Sequence, residues 1–239
     1  MTSKIAYITD IHLDEDFPIN QGIDARKNWN IILNDVKSKG ITSIIFGGDI
    51  GEKFSNAYFF DSLKPFDIAV SLGNHDDFNE VIKYDTTVTN TNKKTFYYTR
   101  NTSLYKFIFL DSSLITIDEE QFIWFKNELI TDKKIIIFIH HPILPVHTEV
   151  DRKYYLIHRD RLRLELEQLS TEVAIFSGHY HFDDIQTYKN ITQYITPAAS
   201  YQIAKIPDGV IIETANFGYR ILEFSEALIK TELILFHTK

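Results

Sequence analysis

Five short apolar runs in this sequence each stop at a small polar cluster, and this pattern constrains the fold more than any other feature. Residues 4–9 run into Asp10-Ile11-His12, and residues 41–46 into Gly47-Gly48-Asp49. Residues 66–72 run into Gly73-Asn74-His75-Asp76, residues 134–139 into His140-His141-Pro142, and residues 173–176 lead to Gly178-His179-Tyr180-His181. Short β-branched and aromatic runs bounded by glycine predict strands. In open α/β sheets ligands bind beyond the carboxyl ends of the strands, so five clusters at five such ends are expected to meet in one place. His179 and His181, at i and i+2 of an extended segment, project to the same side, which suits a metal pair.

Between these runs the pattern changes to helical. Residues 24–39 place Ile31, Ile32, Asp35 and Val36 around one turn, and Gly40 stops the helix. Helices are also predicted over 55–63, 76–84, 119–129 and 159–169, the last with Leu162, Leu166 and Leu169 on one stripe. Residues 94–100 and 104–110 read as neighbouring strands. From residue 185 onward the pattern is mostly strand, with runs over 210–213, 219–224 and 229–236. Strands alternating with helices, followed by a strand-rich end, predict the α/β class with mixed sheets. No break in composition marks a boundary, so residues 1–239 are expected to form a single domain. The least regular connection, residues 146–156, is the expected functional loop.

Composition narrows the chemistry. The chain has no cysteine, which removes disulfides and thiolate nucleophiles and leaves imidazole, carboxylate and amide as metal ligands. The net charge of −8 argues against nucleic acid as a partner, while bound cations would reverse the sign locally and admit an anionic substrate. No signal peptide is read at the start and no run approaches the ~18 apolar residues of a membrane span, so a cytoplasmic protein with no membrane partner is expected.

Taken singly, each cluster has a bland reading. Asp-x-His after a strand is usually a loop, Asp49 after two glycines a turn or cap, Gly-Asn-His-Asp a turn, and His140-His141 a solvated strand exit. The ordered set of five is what points to a metal site. Other polar residues keep the bland reading: His147, His158 and His237 as surface, Arg152 and Lys153 as a solvated loop, and Arg159-Asp160-Arg161 as a helix start with intrahelical ion pairs. The pairs Phe59-Phe60 and Tyr97-Tyr98 read as core and surface of their elements. Tyr180 reads either as a platform for a substrate base or as structural.

The five blocks, in this order and all intact, resemble the signature of the calcineurin-like metallophosphoesterases, over about residues 4–236. His140-His141-Pro142, Thr196-Pro197 and Gly218-Tyr219-Arg220 look closest to the bacterial branch that includes class III cyclic nucleotide phosphodiesterases. The resemblance implies a four-layer α/β/β/α sandwich, two mixed sheets face to face with helices outside. It implies two metal ions, with Mn, Fe and Zn all suited to the ligands. One would be held by Asp10, His12, Asp49 and His181, and the other by Asp49, Asn74, His140 and His179, with Asp49 shared. His140 is preferred over the neighbouring His141. His75 would protonate the leaving oxygen, oriented by Asp76, while a metal-bridging hydroxide attacks in line. The implied activity is hydrolysis of a small phosphoester, a diester first, with a nucleotide among the candidates. A phosphomonoesterase or phosphoprotein phosphatase is the alternative, and a non-catalytic binding scaffold the reading from a different class. A homodimer is a further expectation of the branch.

Overall fold

A computed structural model describes residues 4–85, 95–226 and 228–238. The five apolar runs are strands, and they fall into two sheets. The first carries β1 (Lys4–Ile8), β2 (Ser43–Phe46) and β3 (Asp67–Val70), with β12 (Asn216–Phe224) and β13 (Ile229–His237) on its other side, in the order β13-β12-β1-β2-β3. The second carries β4 (Tyr98–Asn101), β5 (Tyr105–Leu110), β6 (Lys134–Ile139), β7 (Val173–Ser177), β8 (Asp184–Tyr188) and β9 (Ile191–Ile195), in the order β4-β5-β6-β7-β9-β8. Both sheets are mixed. β1, β2 and β3 run parallel while β12 and β13 run antiparallel. β5, β6, β7 and β9 run parallel, with antiparallel β4 and β8 at the edges.

Why strands β5, β6 and β7 of the second sheet are largely apolar follows from period two. Phe107, Phe109, Ile136, Phe138, Ala174 and Phe176 point to a core shared with the first sheet. Ile108, Leu110, Ile135, Ile137, Ile139, Val173 and Ile175 point the other way, onto a separate core. The rings of Tyr7 and Phe138, on opposite sheets, meet at 5.7 Å between centroids. A strand buried on both faces has no place for a polar side chain until it ends. Each fully buried Phe or Ile of this kind contributes roughly 1.5–3 kcal/mol by leaving water.

Helices cover the outer faces. α2 (Ala25–Ser38) is capped by Asp24, whose side chain accepts from Lys27 N–H, and it buries Trp29, Ile32, Leu33 and Val36. Trp29 packs on Phe46 of β2 and on Phe59 of α3 (Asn56–Leu63). On the second sheet, α5 (Glu119–Glu128) and α7 (Arg159–Leu166) supply Phe122, Phe125, Leu162 and Leu166 to the outer core. The layers are therefore α/β/β/α, as the resemblance implies.

Several local expectations change. The helix expected over 76–84 contracts to α4 (Phe78–Val81), because Asp77 caps it late through its bond from Asn79 N–H. Residue 94 of the expected strand 94–100 lies outside the described residues, and the strand itself is Tyr98–Asn101. The irregular connection holds a helix, α6 (Glu149–Tyr154), capped by Thr148 accepting from Asp151 N–H. A short helix, α1 (Asp16–Asn20), precedes α2, and a two-stranded ribbon joins β10 (Gln202–Ile203) to β11 (Ile212–Glu213). Among the described residues no helix is long and apolar enough to cross a membrane.

Candidate dinuclear metal centre

Strand pairing carries the polar clusters side by side. The β1–β2 ladder ends at Ile8↔Phe46, yet it continues through the loops: Asp10 N–H donates to Gly48 O at 2.9 Å and His12 N–H to Asp49 O at 3.1 Å. In the second sheet Gly178 N–H donates to His140 O at 3.1 Å. The two sheets are then tied across the sandwich. His179 N–H donates to the Asp10 carboxylate at 3.0 Å, and His140 Nδ1 donates to Gly47 O at 2.9 Å. Five strand ends thus close on one pocket at one rim of the sandwich.

The backbone there is unusual. Asp10, His12, Asp49, His179 and His181 all have positive φ, between 51° and 67°. A non-glycine residue in this left-handed region costs about 1–2 kcal/mol, and such strain persists where surrounding structure imposes it, characteristically at functional sites. Gly73 makes room for the cluster: a Cβ on it would lie 2.1 Å from Asp49 Oδ1.

The side chains converge as acceptors. Asp49 Oδ2 is 3.2 Å from His140 Nε2 and 3.7 Å from His12 Nε2, so this one oxygen faces both sides of the pocket. Asp10 Oδ1 is 3.3 Å from His181 Nε2 and 3.8 Å from His140 Nε2. Each imidazole is fixed from behind. Nδ1 of His140 and of His181 donate to the carbonyls of Gly47 and Tyr201, and Nε2 of His179 donates to Tyr154 O at 2.8 Å. A carbonyl only accepts, so the outer nitrogen of each ring carries a proton and the inward nitrogen is the one that can take a cation, proton or metal. His12 Nε2 and His181 Nε2, both inward, lie 3.1 Å apart. Two ring nitrogens at that separation need a cation between them, a proton or a metal ion.

Further orphans repeat the message. His140 Nε2 and Asn74 Oδ1 are buried without a hydrogen-bond partner among the described residues. Asp10, His12 and His181 form one group with metal-ligand spacing, and Asp49, His140 and His179 another. Electrostatics agree. Burial opposes ionisation of Asp10 and Asp49, yet the facing histidines hold both carboxyls well below the usual range. Burial likewise opposes charge on His140, but Asp49 and Asp10 lift its pKa to about 10. A pocket that draws a proton this strongly is built for positive charge. Imidazole nitrogen, carboxylate oxygen and one amide oxygen suit a divalent transition metal rather than an all-oxygen calcium cage. The residues present therefore fit a metal pair.

His75 stands at the mouth. Its backbone N–H donates to Asp49 Oδ1 at 2.9 Å, while its side chain is 45% exposed, edge-on to His12. The expectation that Asp76 orients it changes. The Asp76 carboxylate instead accepts from the backbone N–H groups of Asp49, Ile50 and Gly73, each at 2.8 Å, and so ties the second cluster to the third. The residue that does meet His75 is Glu15, 3.1 Å from Nδ1. The sequence reading passed over Glu15, although an acid three residues past His12 in Leu13-Asp14-Glu15-Asp16 was a visible signal.

The bland readings sort themselves. His147, His158 and His237 are exposed. Arg152 and Lys153 are exposed and pair with Glu149, in keeping with a solvated loop. Tyr180 is fully buried and donates to Asp151 at 2.6 Å, which excludes it as a stacking platform. Arg159 pairs with Asp151 and Arg161 with Glu119, which ties the helix to its surroundings, while Asp160 makes the expected intrahelical pair with Arg163. His141 is buried, bonded to Ser112 Oγ at 2.9 Å, with its ring centroid 4.1 Å from that of His179.

Comparison with known proteins places this geometry. Residues 3–183 match the family described as calcineurin-like phosphoesterase. A protein of Fibrobacter succinogenes named a probable cyclic nucleotide phosphodiesterase is 27% identical, over 98% of this chain and 94% of its own length. One of the same name from Coxiella burnetii is 30% identical, over 97% of this chain and 96% of its own. Among solved structures, a dimetal phosphatase from Danio rerio shares the fold with a TM-score of 0.66 at 9% identity, covering 92% of this chain and 95% of that one.

Proposed function

We propose, on the premise that this chain belongs to the calcineurin-like phosphoesterase family and is a metal-dependent phosphoesterase, that it hydrolyses a small phosphodiester, with a cyclic nucleotide as the class of substrate. What carries the reading is the set of inward nitrogens of His12, His140 and His181 around the Asp10 and Asp49 carboxylates. The full-length similarity to relatives named probable cyclic nucleotide phosphodiesterases supports the substrate class.

Asp10, His12, Asp49 and His181 would hold one ion, and Asp49, Asn74, His140 and His179 the other. The pair supplies Lewis acidity that polarises phosphoryl oxygens and acidifies water. The chain supplies the rest. The backbone bonds to Gly47, Tyr201 and Tyr154 hold the ligand rings at fixed angles, so little reorganisation accompanies reaction. Water adds to phosphorus, releasing one proton to solvent, as the bond to one ester oxygen breaks. That oxygen leaves as an alkoxide and takes a proton from His75 Nε2, whose Nδ1 is held by Glu15. Attack is direct and in line, with no phosphoenzyme.

The test is turnover of a panel of cyclic nucleotides, glycerophosphodiesters, aryl diesters and monoesters by protein loaded with Mn, Fe or Zn. Diester hydrolysis exceeding monoester hydrolysis supports the reading. Monoester preference replaces it with a phosphomonoesterase, and no turnover with an intact metal content points to a binding scaffold.

A further inference from the structure

We infer that Glu15 is a positioning residue of this centre, one carboxylate oxygen holding the His12 Nδ1–H and the other the His75 Nδ1–H. Glu15 Oε2 lies 3.0 Å from His12 Nδ1 and Oε1 lies 3.1 Å from His75 Nδ1. An ionised carboxylate only accepts, so each ring carries a proton on Nδ1 and turns its Nε2 away from Glu15, and His75 carries a second proton, on Nε2, when it acts as donor. For His12 this aims Nε2 at Asp49 and His181. For His75 it presents Nε2 to the open mouth of the pocket.

Glu15 is placed for this and nothing else. It occupies the N-cap position of α1, yet its side chain makes no cap hydrogen bond. The side chain is 13% exposed and turned to the two histidines. The rings it holds stand at 84° with centroids 4.8 Å apart, so one carboxylate sets the angle between a ligand ring and a proton-donor ring. A third cation bound by His12, Glu15 and His75 is a poorer account of the same three groups. It would need both nitrogens of His12 as ligands, and hence an imidazolate.

The inference rests on the phosphodiesterase reading above, and it adds a consequence for substrate choice. An alkoxide leaving group needs the proton that His75 delivers, while a nitrophenolate departs without it. Glu15 therefore matters for alkyl esters and little for activated aryl esters.

The experiment compares Glu15→Gln, His75→Ala and the double variant on a cyclic nucleotide and on bis(p-nitrophenyl) phosphate, all loaded with Mn. Glu15→Gln is expected to lose about 10²-fold in kcat/KM on the cyclic nucleotide, the lower end of a general-acid contribution. The aryl ester should lose only a few-fold, and elemental analysis should find both metals retained. In the His75→Ala background Glu15→Gln should add no more than the few-fold loss carried by the His12 bond, on either substrate. Equal losses on both substrates, or additive losses in the double variant, would overturn the inference. NMR of the Zn-loaded protein gives a readout independent of turnover: a slowly exchanging His75 Nδ1 proton in the wild type, lost in Glu15→Gln. Its absence from the wild type overturns the inference even if the diesterase reading stands. Its presence with no wild-type turnover upholds the contact and defeats the diesterase reading instead.

Discussion

Gly178 lies against the Asp10 carboxylate so closely that a Cβ on it would fall 2.2 Å from Asp10 Oδ2. The same Cβ would meet Thr9 Oγ1 at 2.2 Å, the hydroxyl that donates to that carboxylate. Gly178→Ala is therefore predicted to displace Asp10 or β7. The expected cost is about 1–3 kcal/mol, typical of an overpacked core, together with weakened metal binding. Urea denaturation and metal analysis of the purified variant check both, and an unchanged urea midpoint with full metal content would contradict the packing.

Asp76 is predicted to act on the loops rather than on proton transfer. Burial and the charge of Asp49 raise its pKa to about 7, against three backbone N–H bonds that lower it. Asp76→Ala leaves those three N–H groups without their acceptor, at about 1–3 kcal/mol for each that stays buried. Stability and metal content should fall, and activity should fall by the same factor on alkyl and aryl esters. A loss confined to alkyl esters would return Asp76 to the role of orienting His75.

The connection after β6 is coupled to the centre through Asp151. This buried carboxylate accepts from Tyr180 OH at 2.6 Å and from Val146 N–H at 3.1 Å, and it pairs with Arg159. Those bonds fix α6, whose last residue, Tyr154, holds His179 from behind. Asp151→Ala leaves Arg159 half-buried and unpaired, a change that costs about 3–5 kcal/mol when the pair is fully buried. Loss of the outer contact to His179 should weaken metal affinity by about 10- to 100-fold. Competition with a chromophoric chelator measures it, and wild-type affinity in a folded variant would show that the connection is not coupled to the metals.

Metal removal should change how stability depends on pH. In the stripped protein the Glu15 bond lifts His75 to about 9, while Asp49 and Asp10 lift His140 to about 10 against its burial. Both folded values lie above the ordinary histidine range. Their stabilising contribution is therefore complete below about pH 6.5 and is lost as pH rises through 9 to 10. Bound cations would replace the proton on His140. Urea midpoints at pH 6, 8 and 10 should fall steeply for chelator-treated protein and less for loaded protein, and parallel curves would count against this electrostatic account.

Much of this was legible in the sequence because the signals are local. Runs such as Ile135-Ile136-Ile137-Phe138-Ile139 are strands whatever surrounds them, and the polar clusters mark where each strand leaves the core. Strand order was not legible, since whether β7 pairs with β9 or β8 depends on contacts distant in sequence. The helix of residues 149–154 was missed because it is only six residues long and rests on the Thr148 cap and the Asp151 anchor rather than on an apolar stripe. Asp76 was assigned by its neighbour in sequence, whereas its bonds run to Asp49 and Ile50 in another strand-end cluster. Glu15 stands in view three residues past His12, but its second partner, His75, joins it only when β1 and β3 bring the two histidines together.

The central claim is that these strand ends build a site for two cations sharing Asp49, and metal titration of chelator-stripped protein tests it most directly. The account predicts two ions bound per chain, with Asp49→Asn weakening both. Binding of none or one, or loss of only one ion in Asp49→Asn with the other at wild-type affinity, would contradict it.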